Sequence, residues 1–140
     1  MTEAFELVER VPTLEEYQSL RHAVGWAQVD PQAVAAGLAN SLYAVCVMHD
    51  GVIVGCGRVV GDAGIYLYIQ DVIVLPPHQR QGLGRRIMDA IMGYVARQAR
   101  TNTFVGLMAA EGVAPFYVSY GFTERPPKRP GMFQMWAEPR

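Results

Sequence analysis

Lysine is almost absent from this 140-residue chain: the only one is Lys128. A glycine-rich phosphate loop ending in Gly-Lys-Ser/Thr therefore cannot be built from this sequence, which removes the nucleoside-triphosphate hydrolases of that type. Cysteine is also scarce, with Cys46 and Cys56 both in apolar, strand-like stretches. Two buried thiols point to a reduced, cytoplasmic protein instead of a disulfide scaffold. No apolar run reaches the length needed to cross a bilayer. The N-terminal Met1-Thr2-Glu3-Ala4-Phe5 lacks the basic and apolar regions of a secretory leader. Net charge of one sign is missing too: the formal balance is −1, so no overall field gathers nucleic acid or an anionic membrane. No grouping of Cys, His and Asp has metal-ligand spacing, and no metal is expected.

What remains is a chain with the composition of a folded globule. At 51% hydrophobic and 18% charged it can bury a core, and its length suits a single domain spanning residues 1–140. Phe5 to Val8 reads as a short first strand. Thr13 followed three residues later by Glu16 forms a capping box for a helix to about His22. Asp30-Pro31 opens a second helix that ends near Leu38. Leu42 to Met48 and Val52 to Val60 flank His49-Asp50-Gly51, where Asp-Gly marks a tight hairpin. After the turn Gly61-Asp62-Ala63-Gly64 comes a long strand from Ile65 to Leu75, then a helix from Leu83 to about Gln98. Phe104 to Ala109 reads as a further strand, Pro115 starts a short helix, Pro126 to Pro130 is a loop, and Met132 to Trp136 has a strand pattern. Strand, two helices, an antiparallel run and then strand-helix-strand-helix-strand describes a mixed α/β sheet packed by helices.

The most informative segment is Gln79-Arg80-Gln81-Gly82-Leu83-Gly84-Arg85. It joins a strand rich in β-branched residues to a helix whose Leu83, Ile87, Ala90, Ile91, Tyr94 and Val95 share one apolar face. Glycines at a helix start allow close approach, and the first helical N–H groups have no intrahelical acceptor and sit at the positive end of the dipole. That is an anion cradle, best suited to phosphate. A dinucleotide fingerprint would place a third glycine near Ile87 and an acid near Phe104, and neither is present.

The spacing Gln-x-x-Gly-x-Gly resembles the pyrophosphate loop of the GNAT superfamily of acyl-CoA-dependent N-acetyltransferases. Asp71-Val72-Ile73-Val74-Leu75-Pro76 is similar to the lead-in strand of that family. Ala114-Pro115-Phe116-Tyr117-Val118-Ser119-Tyr120-Gly121-Phe122 is similar to its second signature, and together the blocks cover residues 65 to 122. The resemblance implies the GNAT fold: a central, mostly antiparallel sheet with a splayed parallel strand pair, flanked by helices, with pantetheine in the gap.

The implied activity is transfer of an acetyl group from acetyl-CoA to a primary amine of a small molecule, directly within a ternary complex. Docking of the cosubstrate would fall to Gln79, Arg80, Gln81, Gly82, Leu83, Gly84 and Arg85, with main-chain groups of Val72, Ile73 and Val74 along pantetheine. Arg80, Arg85 and Arg86 are candidates for phosphate contacts. Tyr117 matches the family tyrosine near the CoA sulfur, and a phenol that stays protonated at neutral pH can protonate a leaving thiolate. For the base, Asp71 is the nearest acid in sequence, with Glu111 and His78 as alternatives. Gln70 stands where some diamine acetyltransferases carry an acid. Tyr68, Gln70 and Trp26 are candidates to line the acceptor site, with Tyr66 and Phe133 as further aromatics and Asp62 or Glu111 to attract a cationic amine. Strand alternation sets Tyr68, Gln70 and Val72 on one face and Asp71 on the other, unless a bulge intervenes. Two other readings fit the same motifs: a regulatory module that binds acyl-CoA without turnover, and an acetyltransferase acting on a protein or on aminoacyl-tRNA. Dimers are common in the family, so a homodimer is among the implied partners.

Overall fold

The structure, a computed structural model, describes residues 4–137. They divide into two compact units, one up to Leu107 and one from Met108 onward. The first holds a five-stranded sheet in the order β1-β2-β3-β4-β5. Its strands are β1 (Glu6–Val8), β2 (Tyr43–His49), β3 (Val52–Gly61), β4 (Tyr66–Val74) and β5 (Phe104–Gly106). All neighbours are antiparallel except β4 and β5, which run parallel. This is the mixed sheet with one parallel pair that the motifs imply.

The helices of this unit are α1 (Leu14–Ala23), α2 (Pro31–Ala39) and α3 (Leu83–Gln98). The capping box forms as read: the Thr13 hydroxyl accepts from the Glu16 N–H, and the Glu16 carboxylate accepts from the Thr13 N–H. Asp30 accepts from the N–H groups of Gln32 and Ala33, with Pro31 in the first turn. The hairpin loop is Asp50-Gly51, both at positive φ, which matches the twist of the flanking strands.

Each face of the sheet carries helices. On one, Leu20 of α1 packs with Cys46, Ile53, Cys56 and Ile73, while Tyr17 packs with Val34 and Leu38 of α2. On the other, α3 lies so close to β3 that a Cβ at Gly57 would stand 2.6 Å from Ile87 Cγ2 and 2.8 Å from Ile91 Cδ1. Gly57 is thus the close-approach point where α3 seats on the sheet.

The second unit contains α4 (Ala114–Val118) and a nest of rings. Tyr117 meets Phe116 at 5.1 Å and Phe122 at 6.3 Å between centroids, both edge-on, the arrangement that ring quadrupoles favour. Two sequence expectations are corrected here. Met132 to Trp136 does not form a strand: the segment pairs with no described strand and its large side chains are 77–90% exposed at Met132, Met135 and Trp136. The strand expected over Phe104 to Ala109 stops at Gly106, because only three parallel pairs form with β4.

Candidate active site

The strand β4 carries the local irregularity on which the site is built. Opposite it, the register jumps from Cys56↔Ile73 to Arg58↔Gln70, so Asp71 and Val72 together face Gly57. Asp71 takes φ +57°, a left-handed value that a non-glycine residue adopts only when its surroundings hold it there. This is a β-bulge, and it changes the parity of the strand. Ile69 pairs with Val59, yet Ile73, four residues on, pairs with Cys56 in the α1 core. The simple alternation expected from sequence is therefore corrected. Gln70 shares the face of its partner Arg58, Asp71 reaches the same side, and Val72 turns to α3, its Cγ2 lying 3.7 Å from a Cβ placed at Gly57.

Asp71 is buried at 7% exposure and sits at the centre of a polar network. Its Oδ2 accepts from Arg58 Nε at 2.7 Å and from the Tyr17 hydroxyl at 3.1 Å. Its Oδ1 lies 3.8 Å from Arg21 Nη1, which also donates to the Tyr17 hydroxyl at 3.3 Å. Burial and the adjacent Asp71 carboxylate raise the Tyr17 phenol above its ordinary range, so it stays protonated and donates. Arg58 Nη1 donates to the Gly37 carbonyl at 3.1 Å and to Ser41 Oγ at 2.9 Å, which ties the network to α2. Trp26, half exposed, lies beneath the Arg21 guanidinium at 5.4 Å. The structure thus brings Trp26, Gln70 and Asp71 to one side of the sheet, together with Tyr17, Arg21 and Arg58. All three of these were missed in sequence: a tyrosine and an arginine spaced by four on α1 look like an ordinary amphipathic helix. Arg58 carried a signal that could have been read: a charged residue inside the apolar run of β3.

The other edge of β4 is open. Its parallel ladder with β5 ends at Tyr68↔Gly106, so the backbone from Ile69 to Val74 has no described strand on that side. Leu75 N–H bonds the Val54 carbonyl on the β3 side, and alternation turns the main-chain groups of Val74 and Val72 toward the opening. There the Val74 carbonyl accepts from Gln79 Nε2 at 2.9 Å, so Gln79 braces the loop against the strand. Ile73 turns its main chain toward β3 and its side chain into the core. Tyr68 is half-buried near the end of the paired region, and burial raises its phenol.

Beyond the strand, Pro76–His78 make one 3₁₀ turn and the chain winds through Arg80 (φ +65°) and Gly82 (φ +80°) into α3. Gly82 is the N-cap and has no side chain to offer. The first intrahelical bond at this end is Arg86 N–H to the Gly82 carbonyl, leaving the N–H groups of Leu83 and Gly84 without helical acceptors. Gln79, Arg80, Gln81 and Arg85 are exposed around them, while the Leu83 side chain anchors the helix in the core at 2% exposure. First-turn N–H groups at the positive end of a sixteen-residue helix form a cradle for phosphate oxygens, and Arg80 and Arg85 flank it with charge.

In the second unit, Tyr117 is buried at 9% exposure and its phenol is raised by burial. Glu111 is exposed, and His78 is half-buried with its ring 5.6 Å from Phe5 and 5.5 Å from His49. Asp62 serves the turn before β4, accepting from the N–H groups of Gly64, Ile65 and Tyr66. Tyr66 leans on Phe104, with centroids 5.8 Å apart. Phe133 is exposed at 75%. Among the described residues no three His, Cys, Asp or Glu side chains gather as a metal site, and no helix is long and apolar enough to cross a membrane.

Comparison with known proteins meets this geometry. The acetyltransferase (GNAT) domain model matches residues 39–124, which holds the bulge, the loop and the Phe116-Tyr117 signature. The uncharacterized N-acetyltransferase ycf52-like protein of Prochlorococcus marinus is 36% identical over 123 residues, 84% of this chain and 66% of that protein. The chain thus spans about two thirds of that relative's length. A Staphylococcus aureus protein of unknown function, named a probable acetyltransferase, superposes with a TM-score of 0.90 at 32% identity, covering 95% of this chain and all of that one. A more distant aminoglycoside N-acetyltransferase, solved in complex with CoA, shares the fold at a TM-score of 0.66 and 15% identity, over 98% of this chain and 99% of that one. An open, bulged strand leading into a glycine-capped helix, within a domain matched over most of its length, places the chain in the GNAT acetyltransferase family.

Proposed function

We propose that this chain transfers an acetyl group from acetyl-CoA to a primary amine of a small molecule, by direct attack within a ternary complex. The observation that carries the reading is the continuity of β4 and α3. Outward-facing main-chain groups of Val72 and Val74 lead, within about ten residues, to the first-turn N–H groups of α3 at Leu83 and Gly84. An extended pantetheine chain would pair with the first set and its diphosphate with the second, with Arg80 and Arg85 adding charge and Gln79 keeping the loop in place.

The chemistry then follows in order. A hydrogen bond from the open edge at Val72 to the thioester oxygen polarises the carbonyl and stabilises the developing oxyanion, an effect typically worth about 3 kcal/mol in barrier. The amine nitrogen forms a bond to the acetyl carbon and the carbon–sulfur bond breaks. Asp71 is the carboxylate proposed to receive the ammonium proton: its Oδ2 is committed to Arg58 and Tyr17, while Oδ1 has only Arg21 Nη1 at 3.8 Å. Tyr117 supplies a proton to the departing thiolate, and burial suits it by keeping the phenol protonated. Trp26, Gln70 and Tyr68 line the acceptor side. The two free, buried cysteines support a reducing compartment such as the cytoplasm.

The test is turnover. Purified protein with acetyl-CoA and a broad panel of small amines should release thiol and N-acetylated product in equal amounts. A protein that binds CoA but acetylates none of the panel would point instead to an acyl-CoA-responsive regulatory module, and acetylation of proteins alone would move the acceptor to that class.

A further inference from the structure

A buried imbalance of charge lies beside the Asp71 network. Two guanidinium groups, Arg21 and Arg58, converge on one carboxylate, with side-chain exposures of 14%, 15% and 6% respectively. One positive charge is thus left without a carboxylate partner in a poorly solvated place, which is unfavourable unless an anion joins it. The remaining partners are neutral: Arg58 Nη1 bonds the Gly37 carbonyl and Ser41 Oγ, and Arg21 Nε bonds the Ala27 carbonyl at 2.7 Å. Among the described residues neither Arg58 Nη2 nor Arg21 Nη2 donates a hydrogen bond.

Immediately next to Arg58 is a cavity of about 90 Å³ between α1, α2 and β3. Tyr17 and Arg58 supply its polar wall, and Val29, Val34 and Leu38 supply an apolar one. Its neighbour in the network is Asp71, at the bulge where the amine would be acetylated. A site that offers guanidinium donors, a short apolar wall and a nearby carboxylate is matched by a small molecule with a negative group at one end and an amine at the other.

We infer that the cavity bounded by Tyr17, Val34, Leu38 and Arg58 binds a carboxylate, and that the acceptor is a small amine bearing one, of the amino-acid type. This deepens the acetyl-transfer reading and rests on it for the identity of the acceptor. The carboxylate engages Arg58 Nη2, compensates the surplus charge, and orients the amine toward Asp71. An uncharged alkylamine fills the apolar wall but leaves the guanidinium unanswered.

The experiment has two arms. In the first, initial rates with acetyl-CoA are compared for short alkylamines and for the same amines carrying a terminal carboxylate. The carboxylated member of each pair should have a kcat/KM at least 10-fold higher, and Arg58→Gln should bring the ratio toward one while Arg58→Lys retains part of it. Arg21→Gln, on α1 instead of the central sheet, guards against an Arg58 variant that fails to fold and should also reduce the ratio. In the second arm, butyrate and butyramide are titrated into the wild-type protein without acetyl-CoA, and amide chemical shifts are followed for residues 29–38 and 58. Butyrate should bind at this site and butyramide at least 10-fold more weakly. If no amine is acetylated, the acetyl-transfer reading fails while the butyrate titration still decides the cavity. Equal rates for charged and uncharged amines, or equal binding of butyrate and butyramide, would overturn the inference.

Discussion

Arg58 Nε donates to Asp71 Oδ2 at 2.7 Å, and this bond joins β3 to the residue that bulges β4. Asp71 holds φ +57°, and Cys56 Sγ donates to the Asp71 carbonyl at 3.2 Å from the strand opposite. Backbone and side chain of one residue are thus both secured from β3. A strained conformation persists only when its surroundings over-determine it, and this one has the partners to do so.

Replacing Asp71 by Asn should therefore weaken the fold as well as the site. It leaves the buried Arg58 guanidinium without its carboxylate, a loss of about 3–5 kcal/mol for broken buried pairs. Chemical denaturation would show the lower midpoint. An Asp71→Asn protein as stable as the parent would contradict the structural role given to this pair.

Gly57 should not tolerate a side chain. A methyl there meets Ile87 and Ile91 below 3.0 Å, so Gly57→Ala must displace these side chains of α3. The expected destabilisation is about 1–3 kcal/mol, and Gly57→Val should exceed it. Thermal unfolding of both variants, with Gly131→Ala as a control in open space, reads this directly.

Both thiols should be inert in the folded protein. Burial pushes Cys46 up to about 11 and Cys56 well above the ordinary value of 9.0. A thiol raised on folding keeps its proton longer in the native state. Its contribution to stability is full below pH 9 and falls as pH rises from there through the folded values, about 11 for Cys46 and higher for Cys56. A disulfide exchange reagent at pH 8 should label neither cysteine until the protein unfolds, followed by absorbance with and without denaturant.

Tyr117→Phe removes the proposed proton donor and nothing else of size. Turnover should fall about 10²–10⁴-fold, the usual contribution of a placed acid, with CoA affinity nearly unchanged. Because burial raises the phenol, the alkaline loss of wild-type turnover due to this group should come above pH 10. A variant that keeps full turnover, or loses CoA binding in proportion, would show that this tyrosine only packs.

Much of this was legible in the sequence, for reasons that can be named. Helix α3 was read from Leu83 to about Gln98, where it lies, since Gly82-Leu83-Gly84 and a repeating apolar face mark it clearly. The Thr13–Glu16 box and the Asp50-Gly51 hairpin were read from local chemistry alone, which is short-range and so written in adjacent residues. The bulge was not readable, because a two-for-one register depends on β3 as much as on β4. For the same reason the Tyr17–Asp71–Arg58 network stayed hidden: its members are 54 and 13 residues apart. Met132 to Trp136 misled in the opposite way, since alternating bulk suits a strand but cannot supply a partner for it.

The α3 N-terminus and the open edge of β4 are proposed to hold CoA. Titrating CoA into the folded protein by calorimetry, with amide shifts followed in parallel, tests it most directly. Binding should be saturable and one-to-one, with the largest shifts at Val72, Val74 and Gly82 to Arg85. Absence of heat and of shifts at those residues, in protein shown to be folded, would contradict it.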